Sequence, residues 1–306
     1  MQVKIPRKIA TVGMFDGVHL GHHSVLNYLL SEGEKNTLEP IVFTFKNHPL
    51  TIINPTIAPK ILTTSDEKIS LLKNAGINNC LFLEFNDNLR NLSAKEFLSL
   101  LHNEYNVDAL ILGFNNKIGH DGISDFDEYC NLGNEIGIKI YRAPELKHTN
   151  QPISSSSIRT LLLDHNIKQA NNLLGYKYFI SGKVIYGKQL GRKIGFPTAN
   201  IQPNNNHKLI PPIGVYAVIV TTPDNKRHSA MLNIGSRPTV DIPDAPVSIE
   251  THLFNFNADL YNTDLTVEFI DFIRPEKQFS SIDHLKNQLQ EDENTAIKII
   301  SDLSLH

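Results

Sequence analysis

Two histidines three residues apart, His19 and His22, end the run Gly13-Met-Phe-Asp-Gly-Val-His-Leu-Gly-His22, directly behind an apolar stretch. Spaced i,i+3, they share one face if the chain turns helical there. Gly17 and Gly21 permit close backbone approach, and the free N–H groups of a helix start attract anionic oxygens. Such a place suits a polyphosphate. Nucleotidyl transfer needs little more, because donors aimed at the departing pyrophosphate stabilise its growing charge without a covalent intermediate. The plain alternative is a pair of solvent-facing polar caps. A second run, Ile153-Ser-Ser-Ser-Ser-Ile-Arg159, offers hydroxyls, N–H groups and one guanidinium ahead of a helical pattern, a combination that grips the far end of a triphosphate. An ordinary Ser cap with a surface Arg is its alternative.

The second half carries different chemistry. Gly187, Gly191 and Gly195 recur every four residues and lead into Phe196-Pro-Thr-Ala-Asn200. This is not a P-loop, since no Lys-Ser/Thr pair follows the last Gly. If Pro197 opens a strand, Thr198 and Asn200 project from one face, a hydroxyl beside an amide carbonyl. Both are hard oxygen donors suited to a Mg²⁺ that also binds phosphate. A Thr and an Asn on a solvated strand are the bland reading. Glu250 stands between Ile249 and Leu253 in a strand-like run. A carboxylate there is either paired or functional. As a general base it would take the proton of an alcohol attacking a γ-phosphate.

These side chains need a frame. Ile9–Gly13, Ile41–Phe45, Leu81–Phe85, Ala109–Gly113 and Ile138–Arg142 are short apolar runs without polar alternation, as expected of parallel strands covered on both faces. Helical patterns lie between them at Leu20–Ser31, Ser65–Asn74 and Ser93–Tyr105, the last opening with a Ser-x-x-Glu capping box. A further helix is expected over Thr160–Asn172. The series predicts a doubly wound α/β domain over residues 1–175, with ligands at the carboxyl ends of its strands. From Tyr176 the pattern changes to Tyr178–Tyr186, Pro197–Ile201, Gly214–Thr222, His228–Ile234, Ser248–Phe256 and Leu265–Ile273, separated by Pro, Asn, Asp and Gly clusters. Six antiparallel strands in so short a span predict a small closed β-barrel over residues 176–306, with Phe279–Leu303 a covering helix.

The 306 residues carry a net charge of -3 with the charge balanced in both halves, which argues against a nucleic-acid or membrane-surface partner and for small molecules. The two cysteines, Cys80 and Cys130, make neither a disulfide framework nor a Cys-based zinc site. With no signal-peptide pattern and no apolar run of bilayer length, a cytoplasmic protein without an obligatory protein partner is expected.

Phe15-Asp-Gly-Val-His-Leu-Gly-His22 with Ser154–Arg159, and Gly195-Phe-Pro-Thr-Ala-Asn-Ile201 with Glu250-Thr and Phe272-Ile-Arg-Pro275, resemble the bifunctional bacterial riboflavin kinase/FAD synthetases over essentially the whole chain. The resemblance implies ATP-dependent phosphorylation of riboflavin to FMN, then adenylyl transfer from ATP to FMN, giving FAD and pyrophosphate, with Mg²⁺ required. In the first domain it implies that His19 and His22 meet ATP phosphates, with Gly13, Phe15, Gly21, Ser155 and Arg159 around the nucleotide and Asn115 near the flavin. In the second it implies Thr198 and Asn200 as ligands of Mg²⁺ and phosphate, Gly195 beside the nucleotide, Glu250 as base and Arg274 near the flavin. The family's pattern departs around residue 118. Ile118 stands where an aromatic ring is usual, and His120, Asp121 and Gly122 where basic residues are. Loss of a stacking ring there, worth about 1–3 kcal/mol, and an added carboxylate would weaken the first site. A kinase with a silent first domain and a flavin-binding regulator without turnover are the alternative readings.

Overall fold

The computed structural model describes residues 6–46, 58–113, 117–144, 153–187, 190–236 and 247–303, less the side chains of residues 190 and 193. The predicted Asn115, together with Asn47, Asn116 and Lys188, lies outside them. The described chain forms two compact units, Met1–Ser155 and Ser156–His306.

In the first unit, β1 (Lys8–Val12), β2 (Glu39–Phe45), β3 (Cys80–Leu83), β4 (Val107–Leu112) and β5 (Lys139–Arg142) make a parallel sheet of order β3-β2-β1-β4-β5. Helices α1 (Leu20–Asn36), α2 (Ser65–Asn74), the single turn α3 (Asp87–Arg90), α4 (Ala94–Tyr105) and α5 (Phe126–Ile136) connect them. The unbroken apolar runs now have a cause. Successive side chains point to opposite faces, and both faces are buried. Ile9, Val42, Ala109 and Ile111 pack with Leu26 and Leu29 of α1 and Leu72 of α2. Ala10, Phe43, Leu110 and Leu112 pack with Phe97, Leu98 and Leu101 of α4 and Tyr129 of α5. The predicted capping box at Ser93 and Glu96 is formed, and a second one joins Thr64 and Glu67 at the start of α2.

Two helices follow, α6 (Ser155–Leu163) and α7 (Ile167–Leu174), where one was expected. His165 between them takes φ 60°, a left-handed conformation that ends α6. Asn171 of α7 donates to the Phe269 carbonyl and accepts from the Tyr178 N–H, fastening α7 to the strands of its own unit, the second.

That unit is a closed barrel of order β10-β7-β6-β11-β8-β9, every pair antiparallel. Its strands are β6 (Phe179–Ile185), β7 (Ala199–Pro203), β8 (Gly214–Thr221), β9 (Arg227–Gly235), β10 (Ser248–Leu253) and β11 (Asp264–Arg274), with a short α8 (Leu190–Lys193) between β6 and β7. The final helix α9 (Ile282–Leu303) lies on the outside, its Ala296 and Ile300 against Ala217, Met231 and Ile270. That is why β8 is apolar on both faces. No helix among the described residues is long and apolar enough to cross a membrane.

Two candidate active sites

The first site is built at the carboxyl end of β1. Gly13 donates its N–H to the Phe43 carbonyl, and the chain then turns sharply, with Phe15 at φ 47°, Gly17 at φ 81° and Val18 at φ 33°. L-residues adopt that region at a cost, so something must hold the turn. Asp16 does. Its buried carboxylate accepts from the N–H groups of Leu62 and Thr63 at 2.9–3.0 Å and from the Thr63 hydroxyl, which itself accepts from the Gly17 N–H. The Ser155 hydroxyl closes the arrangement by donating to the Asp16 carbonyl at 2.8 Å.

This loop delivers His19 as the N-cap of α1, where Nδ1 accepts from the His22 N–H at 3.3 Å. The acceptor role of Nδ1 puts the proton of a neutral His19 on Nε2, which makes that nitrogen a donor. The His19 and His22 rings stack with centroids 3.7 Å apart, and Phe15 lies 5.0 Å from His22. A side chain at Gly21 would begin 3.1 Å from the His19 ring, so glycine there lets the imidazole lie flat on the helix start. Burial foremost, then the neighbouring His19 and the charge of Lys68, hold the His22 imidazole well below the ordinary histidine range. Its Nδ1 is buried without a hydrogen-bond partner among the described residues. An orphaned polar atom beside a helix N-terminus is a place where a ligand completes the bonding. Arg159 follows Ser155 by one turn of α6 and is buried.

Beside this turn is a cavity of about 320 Å³ walled by Gly13, Met14, Phe45, Phe85, Arg90 and Ile118. Ile118 is buried in the sheet core, while Phe45 and Phe85 meet edge-to-face 5.7 Å apart, so the cavity keeps aromatic walls without a ring at 118. Asp121 is occupied elsewhere. Both its oxygens accept from the Ala94 N–H in the first turn of α4, where a carboxylate suits the helix dipole.

In the second unit Thr198 lies just ahead of β7 rather than inside it, since the strand begins at Ala199 and not at Pro197. Its hydroxyl nevertheless reaches Glu250, donating to Oε2 at 3.2 Å. Asn200 is the register partner of Glu250, and Glu250 in turn of Asn233, so the three side chains share one face of the barrel. The Asn200 amide lies against the backbone of Gly187. Gly195 takes φ 90° in the turn that follows α8. Two cavities meet at Thr198. One, of about 290 Å³, lies between the barrel and α9 and is walled by Val215, Met231, Asn233, Glu250, Arg274 and Leu289. The other, of about 250 Å³, is walled by Val184, Arg192, Thr251, Asp259 and Tyr261. Arg274 edges the first cavity with its guanidinium turned to Asp292, donating from Nε and Nη2 at 2.8 and 2.7 Å.

His19, His22, Phe15, Gly13, Gly21 and Ser155 are thus brought together in one unit, and Thr198, Asn200, Glu250 and Arg274 in the other. Sequence reasoning missed Asp16, Thr63, Lys68 and Asp292. The Thr-Thr-Ser-Asp-Glu start of α2 could have suggested a cap, but its pairing with a loop 46 residues earlier had no local signature.

Comparison with known proteins agrees with this division. The family profile described as FAD synthetase matches residues 2–157, and the one described as riboflavin kinase matches residues 174–300. Bifunctional riboflavin kinase/FMN adenylyltransferases of Buchnera aphidicola subsp. Schizaphis graminum, Bacillus subtilis and Escherichia coli K12 are 36%, 35% and 37% identical to the chain. These matches cover 92%, 97% and 94% of this chain and 90%, 94% and 91% of the relatives. A crystal structure described as a macrolide-efflux protein from Streptococcus pneumoniae superposes with a TM-score of 0.86 at 29% identity, covering 96% of this chain and 95% of that one. Two profiles in this order, and relatives alike over nearly their whole lengths, place the chain in the family of bifunctional riboflavin kinase/FMN adenylyltransferases.

Proposed function

We propose that the barrel phosphorylates riboflavin at its terminal hydroxyl and that the α/β unit joins the product, FMN, to the AMP moiety of ATP, both in the cytoplasm. The observation that carries the kinase half is the position of Thr198 where two cavities meet, its hydroxyl bonded to Glu250 in the wall of one of them. One cavity has apolar walls from Val215, Met231 and Leu289 and suits an aromatic ring system; the other, with Arg192, suits a nucleotide. Glu250 Oε takes the proton as the alcohol oxygen bonds the γ-phosphorus. The bond from that phosphorus to the β–γ bridging oxygen breaks, and ADP leaves. The hydroxyl of Thr198, the amide oxygen of Asn200 and the carboxylate of Glu250 form an all-oxygen donor set that fits a hard cation. Mg²⁺ held there by Thr198 and Asn200 would neutralise phosphate charge.

In the α/β unit a phosphate oxygen of FMN bonds the α-phosphorus of ATP, the α–β bridge breaks and pyrophosphate leaves. No protein base is needed, because the attacking phosphate is already anionic near neutral pH. His19 Nε2–H and the N–H groups at the start of α1 donate to the leaving oxygens, and neutral His22 supplies a further partner. Ser155 and Arg159 bind the ATP tail. The aromatic cavity edged by Arg90 accepts the flavin. Supplying riboflavin with ATP labelled at the γ-phosphate must label FMN, whereas ATP labelled at the α-phosphate must label FAD and not FMN. Absence of the first label would overturn the kinase half, and absence of the second the adenylyl-transfer half.

A further inference from the structure

Lys68, on the first turn of α2, is 3% exposed. Its ammonium donates to the Met14 carbonyl at 2.7 Å, the Thr44 hydroxyl at 3.2 Å and the Phe45 carbonyl at 3.2 Å. Three acceptors match the three protons of an ammonium. The Thr44 hydroxyl donates in turn to the same Met14 carbonyl at 3.0 Å. Met14 follows β1 and Phe45 ends β2, and both wall the aromatic cavity of the first site. The amino group therefore ties together the two strand ends between which that cavity opens. Its charge also bears on His22.

A buried ammonium is a costly way to brace two loops when a neutral side chain could donate as well. Function supplies the reason, given that adenylyl transfer takes place in this unit. We infer that Lys68 is a positioning residue of the adenylyl-transfer site, its shared ammonium setting the opening between β1 and β2 and placing a fixed positive charge behind the His19–His22 turn. Held by the protein rather than by a counterion, that charge favours the anionic phosphates gathered in front of it. The role needs the protonated form.

The charged and titratable groups facing Lys68 are Asp16 from the loop after β1, His22 from α1 and Cys80 from β3. Burial lowers the amine to about 8, against the opposing pull of Asp16 and Cys80. Burial likewise pushes the Cys80 thiol above its ordinary range and His22 far below its own, which leaves the amine as the group of this cluster that titrates near pH 8.

The test is FAD formation from FMN and ATP by the full-length chain between pH 6 and 9.5, with riboflavin phosphorylation measured in the same preparations. The wild-type rate of adenylyl transfer should fall as pH rises through about 8. Lys68→Met should lower kcat about 10- to 100-fold, the scale of a misplaced reacting group, raise the KM for FMN, and lack the alkaline fall, with kinase activity kept. Thr44→Val removes one acceptor and so destabilises the charged amine, which should move the alkaline fall to lower pH. This second variant decides the matter even if Lys68→Met fails to fold. A wild-type profile flat through pH 8, a Thr44→Val profile with an unmoved alkaline limb, or a folded Lys68→Met enzyme with wild-type kcat and profile would overturn the inference. Wild-type protein that makes FMN but no FAD would instead refute adenylyl transfer itself, and the inference with it.

Discussion

Replacing Asp16 by Ala tests whether the strained turn after β1 is held by one carboxylate. The substitution removes the acceptor for the buried N–H groups of Leu62 and Thr63 and for the Thr63 hydroxyl. Two orphaned backbone donors at about 2 kcal/mol each make a loss of about 4 kcal/mol. For a unit of this size that is a drop of about 12 °C in melting temperature. The left-handed conformations at Phe15 and Val18 would then relax, and with them the presentation of His19 and His22. Scanning calorimetry, with FAD and FMN formation followed in parallel, reads both consequences. Asp16→Ala should lower the first unit's melting temperature and its rate of adenylyl transfer, while Asp16→Asn, which keeps one acceptor oxygen, falls in between. Kinase activity should be unchanged. A melting temperature within about 2 °C of wild type, or an equal loss of both activities, would refute the reasoning.

Three further outcomes are expected. Asp292→Ala strands the Arg274 guanidinium, whose side chain is 12% exposed, and should cost the barrel about 3–5 kcal/mol and raise the KM for riboflavin, read by denaturant titration and kinase kinetics. Gly119→Ala should destabilise the first unit by about 2 kcal/mol or more in the same titration, because φ is 83° and the new Cβ would lie 2.2 Å from the Ala94 nitrogen. Because His22 stays neutral in the folded state and takes up a proton on unfolding below about pH 6.5, the unfolded chain binds more protons there. Stability of the first unit should therefore fall as pH drops from about 7 to 5, and His22→Asn should flatten that slope in melts against pH.

The frame was legible where one local rule decided the outcome. Apolar runs such as Ile9–Gly13 had no polar alternation because both sheet faces are covered, and the Ser93–Glu96 box marked the cap of α4. Boundaries moved where a single backbone conformation intervened. His165 in the left-handed region split the expected Thr160–Asn172 helix, and Asn255 at φ 53° stopped β10 at Leu253, short of Phe256. Helix α5 went unread, although Asp125 caps it and Tyr129 and Gly133 face the core. At the sites, the residues within short motifs came together as expected. Their supports did not announce themselves, because Asp16 to Leu62, Lys68 to Met14 and Arg274 to Asp292 are contacts made by the tertiary fold. The contact of Asp121 with the Ala94 N–H is likewise made by the tertiary fold.

That one chain holds two separable sites is tested most directly by a time course with riboflavin, excess ATP and Mg²⁺, run on wild-type, Glu250→Gln and His19→Ala protein with riboflavin, FMN and FAD resolved by chromatography. Wild type should pass through FMN to FAD. Glu250→Gln should leave riboflavin unphosphorylated, with a rate loss of about 100-fold or more, yet still convert added FMN to FAD. His19→Ala should halt at FMN. FMN produced at the wild-type rate by Glu250→Gln, or FAD at the wild-type rate by His19→Ala, would contradict it.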